Sequence, residues 1–371
     1  MRITKLEVFH NDRRVGTIAE TPNGLDAFSY DAEWLRNGFS LSPLSLPLKP
    51  GVFLPNNRNF DGLFGVFADS LPDSWGRLVL RRKLRGLLDK HERNPLFFLS
   101  LSTTSSMGSL TYKPELASFS EQDIKDIDKI EAECQKILSG DEVSDIETLF
   151  SLAGSSGGSR PKIHCKVDGT DCIIKFRSSE DSRNMGEMEE EYAQAARRMG
   201  IDMPRTFLLK GKSGRKYFGI ERFDRLKNGS KRHMVSAAAL LEVQMDEVVF
   251  SYEGLFQLTW MITHDKKDLA ELFRRMVFNV YAHNEDDHLK NFSYLYDEEK
   301  EKYVLSPAYD LTYSTTAYGG HNLSVNGKTE DIDDIDLLSV GRKAGLSDSF
   351  MENVTSVIKR EATKIAQKYR N

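Results

Sequence analysis

The segment Tyr281–Leu295, YAHNEDDHLKNFSYL, crowds three acids (Glu285, Asp286, Asp287), His283, His288, Lys290, Asn284 and Asn291 between apolar flanks. Asp286 precedes Asn291 by five residues. In a protein-kinase catalytic loop, that spacing joins a base that accepts a hydroxyl proton to an amide that ligates a metal ion. Asp310 follows the apolar stretch YVLSPAY and offers a second oxygen ligand. An asparagine and an aspartate suit a hard cation such as Mg²⁺. The chemistry implied is phosphoryl transfer, with Asp286 as the base and Asn291 and Asp310 on the metal.

Phosphoryl transfer also needs a loop over the phosphates, a lysine on them, and a carboxylate that orients the lysine. The loop candidate is Gly154-Ser155-Ser156-Gly157-Gly158-Ser159, where glycine lets backbone N–H groups approach phosphate oxygens. Lys162 is the loop lysine and Lys175, inside CIIKF, the strand lysine. A lysine between Ile174 and Phe176 is costly to bury unless an anion meets it, and unremarkable on the wet face of a strand. Glu191, among Tyr192 and Ala193, is the expected orienting carboxylate. Glu187, Glu189 and Glu190 read as surface acids.

These residues need elements to hold them. Residues 1–20 read as a hairpin, residues 72–90 as a helix, and GSLTYKPE as a strand. Pro43, Pro47 and Pro50 break regular structure between the first two. Cys165 and Cys172 flank a hairpin turned at Asp168-Gly169. A helix ends at Gly200, two further strands follow, and the pattern from Val235 onward is mostly helical. The reading is α+β, with boundaries at 1–116, 117–232 and 233–371: an N-terminal α+β subdomain, a β-rich lobe and a helical lobe. A nucleotide is expected in the crevice between the lobes.

Composition excludes several classes. Net charge is −5 over 371 residues with a sequence pI near 6.0, so no global basic field invites nucleic acid. The cluster Arg77, Arg81, Arg82, Lys83 and Arg85 reads as a solvated face or a local partner or DNA contact. Three cysteines make no disulfide framework and are expected to be reduced. No apolar run approaches the roughly 20 residues of a membrane helix, and the N-terminus has no apolar signal region. A cytoplasmic location is expected.

The chain resembles HipA-type serine/threonine kinases, the toxins of bacterial toxin–antitoxin pairs. The resemblance is carried by FADSLPDSW (67–75), GSSGGSRPK (154–162), IIKF (173–176), IERFDR (220–225), NEDDHLKNFSYL (284–295) and SPAYDLTYS (306–314). It implies a bilobal kinase-like fold behind a HipA-type N-terminal subdomain, with ATP and Mg²⁺ as cofactors. It implies catalysis by Asp286, with His288 and Lys290 completing the loop and Asn291 and Asp310 on the metal. It implies nucleotide contacts from Ser155, Ser156, Gly157, Gly158, Lys162, Lys175 and the hinge Glu221, Arg222 and Phe223, where backbone groups of Glu221 and Phe223 meet adenine. It further implies autophosphorylation of a loop serine, Ser155 first and Ser156 second. The target would be a cytosolic protein such as a translation component. The neutralising partner would be a small helix-turn-helix antitoxin, through which DNA is contacted. Two features depart from the family: Asp287 beside the base, expected to be solvated, and a chain that looks short.

Other readings remain. Gly154-x-Ser156-x-Gly158 matches a hydrolase elbow, with Asp310 and His321 following in triad order, but the segment after it reads as a strand rather than a helix. His283 and His288 lack the i, i+4 spacing of helical zinc ligands. A small-molecule phosphotransferase would share the Asp-to-Asn logic, and a scaffold without catalysis would act as co-repressor with an antitoxin.

Overall fold

The computed structural model describes residues 2–84, 94–102, 106–116, 126–153, 158, 160–179, 181–244, 250–316 and 319–370. The chain forms two compact units: residues 1–186 with 207–244, and residues 187–206 with 245–371.

The first unit opens with β1 (Lys5–His10), β2 (Arg13–Glu20) and β3 (Asp26–Tyr30), followed by helices α1 (Ala32–Asn37), α2 (Gly65–Ala68), α3 (Ser74–Lys83) and α4 (Pro95–Ser100) and by β4 (Leu110–Lys113). The strands form one antiparallel sheet in the order β3-β2-β1-β4. Asn11 and Asp12 both take positive φ (45° and 64°), the tight-hairpin conformation that lets strands of right-handed twist pair directly. Leu6 and Val8 of β1 and Val15 and Ile18 of β2 are buried, together with Phe28, Trp34 and Phe67.

Helices α5 (Ile127–Ser139) and α6 (Ile146–Leu152) lead to a second antiparallel sheet, β5 (Lys162–Val167), β6 (Thr170–Lys175), β7 (Thr206–Lys210) and β8 (Lys216–Glu221), ordered β5-β6-β8-β7. The β5–β6 turn is Asp168-Gly169, with φ of 49° and 76°. Cys165 and Cys172 are direct partners in that hairpin, and both are free thiols. Strand β9 (Met234–Ser236) and helix α8 (Ala237–Leu241) close the unit.

The basic cluster on α3 is used inside this unit. Arg82 donates to Gly140 O (3.1 Å) and Ile137 O (3.3 Å), binding the carbonyl end of α5. Lys83 pairs with Glu147 (2.6 Å) and lies 4.0 Å from the centre of the Phe150 ring on α6. Arg77 packs over Phe98 at 5.5 Å. These cations fasten helices to one another inside the unit, while Arg81 stays exposed. Arg85 lies outside the described residues.

The second unit holds most of α7 (Met185–Arg198), then β10 (Phe250–Ser251), α9 (Tyr252–Thr263), α10 (Lys266–Tyr281), the hairpin β11 (Ser293–Asp297) and β12 (Lys302–Leu305), β13 (Leu323–Ser324), α11 (Asp334–Lys343) and α12 (Asp348–Tyr369). Asp265, Asp333 and Ser251 cap α10, α11 and α9 through side-chain acceptors. Phe273, Met276, Val277 and Phe278 of α10 are buried, as are Met351 and Ile358 of α12. A Cβ on Gly341 would meet Met351 Sδ at a distance no methyl tolerates, so α11 and α12 approach closely because that residue is glycine.

Candidate active site

The loop 282–292 joins α10 to β11. Its anchor is Asp287, whose side chain is 0% exposed. The carboxylate accepts from Tyr252 Oη (2.8 Å), His321 Nδ1 (3.0 Å), Asn322 N (2.9 Å) and Leu323 N (3.3 Å). The expectation of a solvated Asp287 is therefore wrong. A buried carboxylate is tolerated where several donors replace its hydration, and four do so here. Burial and the adjacent Asp287 charge push the Tyr252 phenol well above its ordinary range, so it stays a donor.

Asp286, one residue earlier, is 55% exposed at its side chain. Its backbone is held: its N–H donates to Ser314 Oγ (3.1 Å) and its carbonyl accepts from Asn291 Nδ2 (2.8 Å). His288 Nε2 lies 3.8 Å from Asp286 Oδ1, and Asn322 Nδ2 is 3.4 Å from the same oxygen. Donating Nδ2 to the loop leaves the Asn291 Oδ1 to accept or ligate. A turn of 3₁₀ helix over Leu289–Asn291 sets this orientation and includes Lys290.

Asp310 sits at a left-handed φ of 54° in the segment after β12. Two ties bring that segment to the loop. Tyr309 Oη donates to Lys290 O (2.7 Å), and Asn284 Nδ2 reaches Asp310 O (3.4 Å) while also donating to Asn279 Oδ1 on α10 (2.9 Å). Ser314 Oγ donates to Asn284 Oδ1 (2.9 Å). The structure thus gathers Asp286, Asn291, His288, Lys290 and Asp310 about one loop. An amide and a carboxylate oxygen are the donors a hard divalent cation prefers. The hydrogen-bonding residues Tyr252, Asn279, Tyr309 and Ser314 were missed in the sequence, and Asn284 and His321 were named there without these roles. Their only signal was polarity amid apolar runs. His321 serves Asp287, which removes it from a hydrolytic triad with Asp310.

In the first unit, Lys162 and Lys175 face each other across β5–β6 as direct register partners, so both side chains lie on one face of the sheet. Lys175 Nζ lies 5.4 Å from the centre of the Phe218 ring, its partner on β8. Gly158 has φ of +91°, and a Cβ there would stand 3.0 Å from Lys162 Nζ. The backbone comes this close to the lysine because the residue is glycine. Two like charges opposite each other beneath such a backbone suit a polyphosphate anion. Ser155, Ser156 and Gly157 lie outside the described residues.

Two assignments change. The Arg222 side chain is buried in a cluster: it bonds Asp224 Oδ2 (2.7 Å), His164 Nδ1 (2.6 Å) and Ser106 O (2.8 Å), and its N–H donates to Asp171 O (2.9 Å). A guanidinium so committed is structural. Burial drives His164 well below its ordinary range, leaving a neutral acceptor for Arg222. Glu191 binds Lys368 Nζ (2.6 Å) and Tyr369 Oη (2.7 Å), so it anchors α12 rather than orienting a phosphate lysine. The acids read as surface residues, Glu189 and Glu190, are the buried ones. Helical spacing explains it: Glu189 falls on the stripe of Met185, Met188, Tyr192 and Ala196.

The family model for the HipA N-terminal domain matches residues 6–113, and that for the HipA-like C-terminal domain matches residues 154–368. A candidate kinase of Sinorhizobium fredii, Y4dM, is 24% identical over 94% of this chain and 88% of its own. Another from the same organism, Y4mE, is 26% identical over 86% and 79%. The solved HipA of Shewanella oneidensis, in complex with HipB and operator DNA, superposes with a TM-score of 0.73 at 17% identity, covering 98% of this chain and 90% of that one. Both domain models lie in order along one chain, and this protein belongs to the HipA family.

Proposed function

We propose that this protein is an ATP- and Mg²⁺-dependent serine/threonine kinase of the toxin type. The observation that carries the reading is the loop 282–292, where a buried Asp287 fixes the backbone and leaves the Asp286 carboxylate exposed on it. Asp286 accepts the proton of the attacking hydroxyl; His288, within 3.8 Å, steadies that carboxylate. Asn291 and Asp310 would hold Mg²⁺, which when bound neutralises charge on the transferring phosphoryl group. Lys162 and Lys175 hold the ATP phosphates, and Lys290 adds positive charge to the loop. The hydroxyl belongs to a cytosolic protein, with translation components the first class to test.

Regulation follows from the same chemistry. A phosphate on Ser155 or Ser156 would bring about two negative charges to the loop that leads to Lys162, and so compete with ATP. The Shewanella neighbour was solved with HipB and operator DNA, which supports a small helix-turn-helix antitoxin as partner and DNA contact through it.

Incubation of the full chain with labelled ATP and Mg²⁺, followed by mass spectrometry, tests this. Phosphate is expected on Ser155 or Ser156. Asp286→Asn is expected to lower phosphoryl transfer at least ~100-fold with an unchanged melting temperature, since the side chain is exposed. Full activity in that variant would remove Asp286 as the base.

A further inference from the structure

Two residues of the FADSLPDSW motif, Asp73 and Trp75, meet Lys162. Asp73 does two things at once. Its Oδ1 caps α3 by accepting from Gly76 N (2.7 Å), and its Oδ2 stands 3.6 Å from Lys162 Nζ. Both side chains are nearly sealed, at 6% and 7% exposure. The first turn of the same helix grips the lysine's backbone: Trp75 Nε1 donates to Lys162 O (3.1 Å).

A helix cap does not need a charge. Asn and Ser accept the same N–H bond as well as Asp does. The carboxylate charge is therefore surplus to capping, and it faces a buried ammonium that is already opposed across the hairpin by Lys175. A buried cation facing a second cation across the hairpin would be costly, and a side chain without a fixed counter-charge would spread over rotamers. The Asp73 charge limits both effects and keeps Lys162 against the Gly158 backbone. Kinase chemistry asks for a carboxylate that orients a phosphate lysine. Glu191 does not supply it, being bound to Lys368 and Tyr369.

We propose that Asp73, in the N-terminal subdomain, is a positioning residue that acts on nucleotide binding through Lys162. This rests on reading Lys162 as a phosphate ligand. It gives the N-terminal subdomain a direct part in the nucleotide site, and makes α3 a point at which a partner's grip on that subdomain would alter ATP affinity.

Titration of the full chain with ATP·Mg²⁺ by calorimetry tests the idea in a double-mutant cycle. Asp73→Asn keeps the cap and removes the charge, and is expected to weaken ATP binding about tenfold. Asp73→Ser, a second cap-keeping variant, is expected to match it and serves if the Asn variant folds poorly. In a Lys162→Met background, Asp73→Asn is expected to add nothing. Unchanged or tighter binding in the cap-keeping variants would overturn the proposal. So would an additive loss in the double variant, which is what a purely structural Asp73 produces. ATP binding untouched by Lys162→Met would instead strike the reading of the lysine as a phosphate ligand, and the positioning role with it.

Discussion

Asp287 accepts four hydrogen bonds in a sealed pocket while its neighbour Asp286 points outward. The two have the same side chain and opposite tasks. The pocket makes Asp287 the costlier loss for stability and Asp286 the costlier loss for chemistry. Replacing Asp287 by alanine strands Tyr252 Oη and three N–H donors. That should destabilise the second unit by ~3 kcal/mol, seen as a lower chemical-denaturation midpoint. Activity should fall in parallel with loop order rather than through loss of a base. A variant with wild-type stability would show that the pocket tolerates an empty acceptor. The sequence alone did not separate the two acids, since both sit in one polar run. The distinction comes from Tyr252 and His321, 35 and 34 positions away.

Among elements, the decisive cluster links the exit of β8 to the loop before β4. Asp224 accepts from Gly108 N (2.6 Å), Arg222 and Arg225, and both arginines also bond Ser106 O. Burial would raise the Asp224 carboxyl, but the two guanidinium charges hold it far below its usual range, so it stays ionised into acid. Asp224→Ala leaves two arginines buried without their anion. The expected cost is about 3–5 kcal/mol, with loss of cooperative unfolding between the N-terminal sheet and the β5–β8 sheet. Tryptophan fluorescence during urea unfolding would report it, because Trp34 and Trp75 are both buried in that unit. A single unaltered transition would argue that the cluster is dispensable. The motif IERFDR was legible as a motif, but its Arg222 was assigned to ligand rather than to architecture, and Asp224 and Arg225 were given no role. Nothing local marks Asp224 as the partner of residues some 116 positions earlier.

On the scale of the whole molecule, two buried carboxyls of the first unit make stability depend on pH. Burial raises Glu242 to about 7, with the Asp69 charge adding to it against the bond from Gly65 N; burial and Glu20 raise Asp26 to about 7. The folded protein then keeps protons that the unfolded chain releases above its ordinary carboxyl pKa. Stability is fullest below about 4.5 for these groups and is lost as pH rises toward 7. Melting of the full chain should therefore begin at a lower temperature at pH 8 than at pH 5.5. Glu242→Gln, which keeps an acceptor for Gly65 N, should stabilise the protein by about 1 kcal/mol at pH 8 and little at pH 5.5. An equal effect at both pH values would contradict the assignment. No helix among the described residues is long and apolar enough to cross a membrane.

The sequence by itself determined the α+β class, the hairpin over residues 1–20 and the one turned at Asp168-Gly169, the long amphipathic helices, and the D-x-x-x-x-N spacing of Asp286 and Asn291. These are local matters: turn chemistry, apolar period and residue spacing act within a few positions of chain. Tertiary structure alone decided which charges are buried. It put Asp287 inside, turned Glu191 to α12 and Arg222 to Asp224, and set Asp73 against Lys162. The physical reason is that a buried charge is settled by partners distant in sequence, whose arrival no local pattern records.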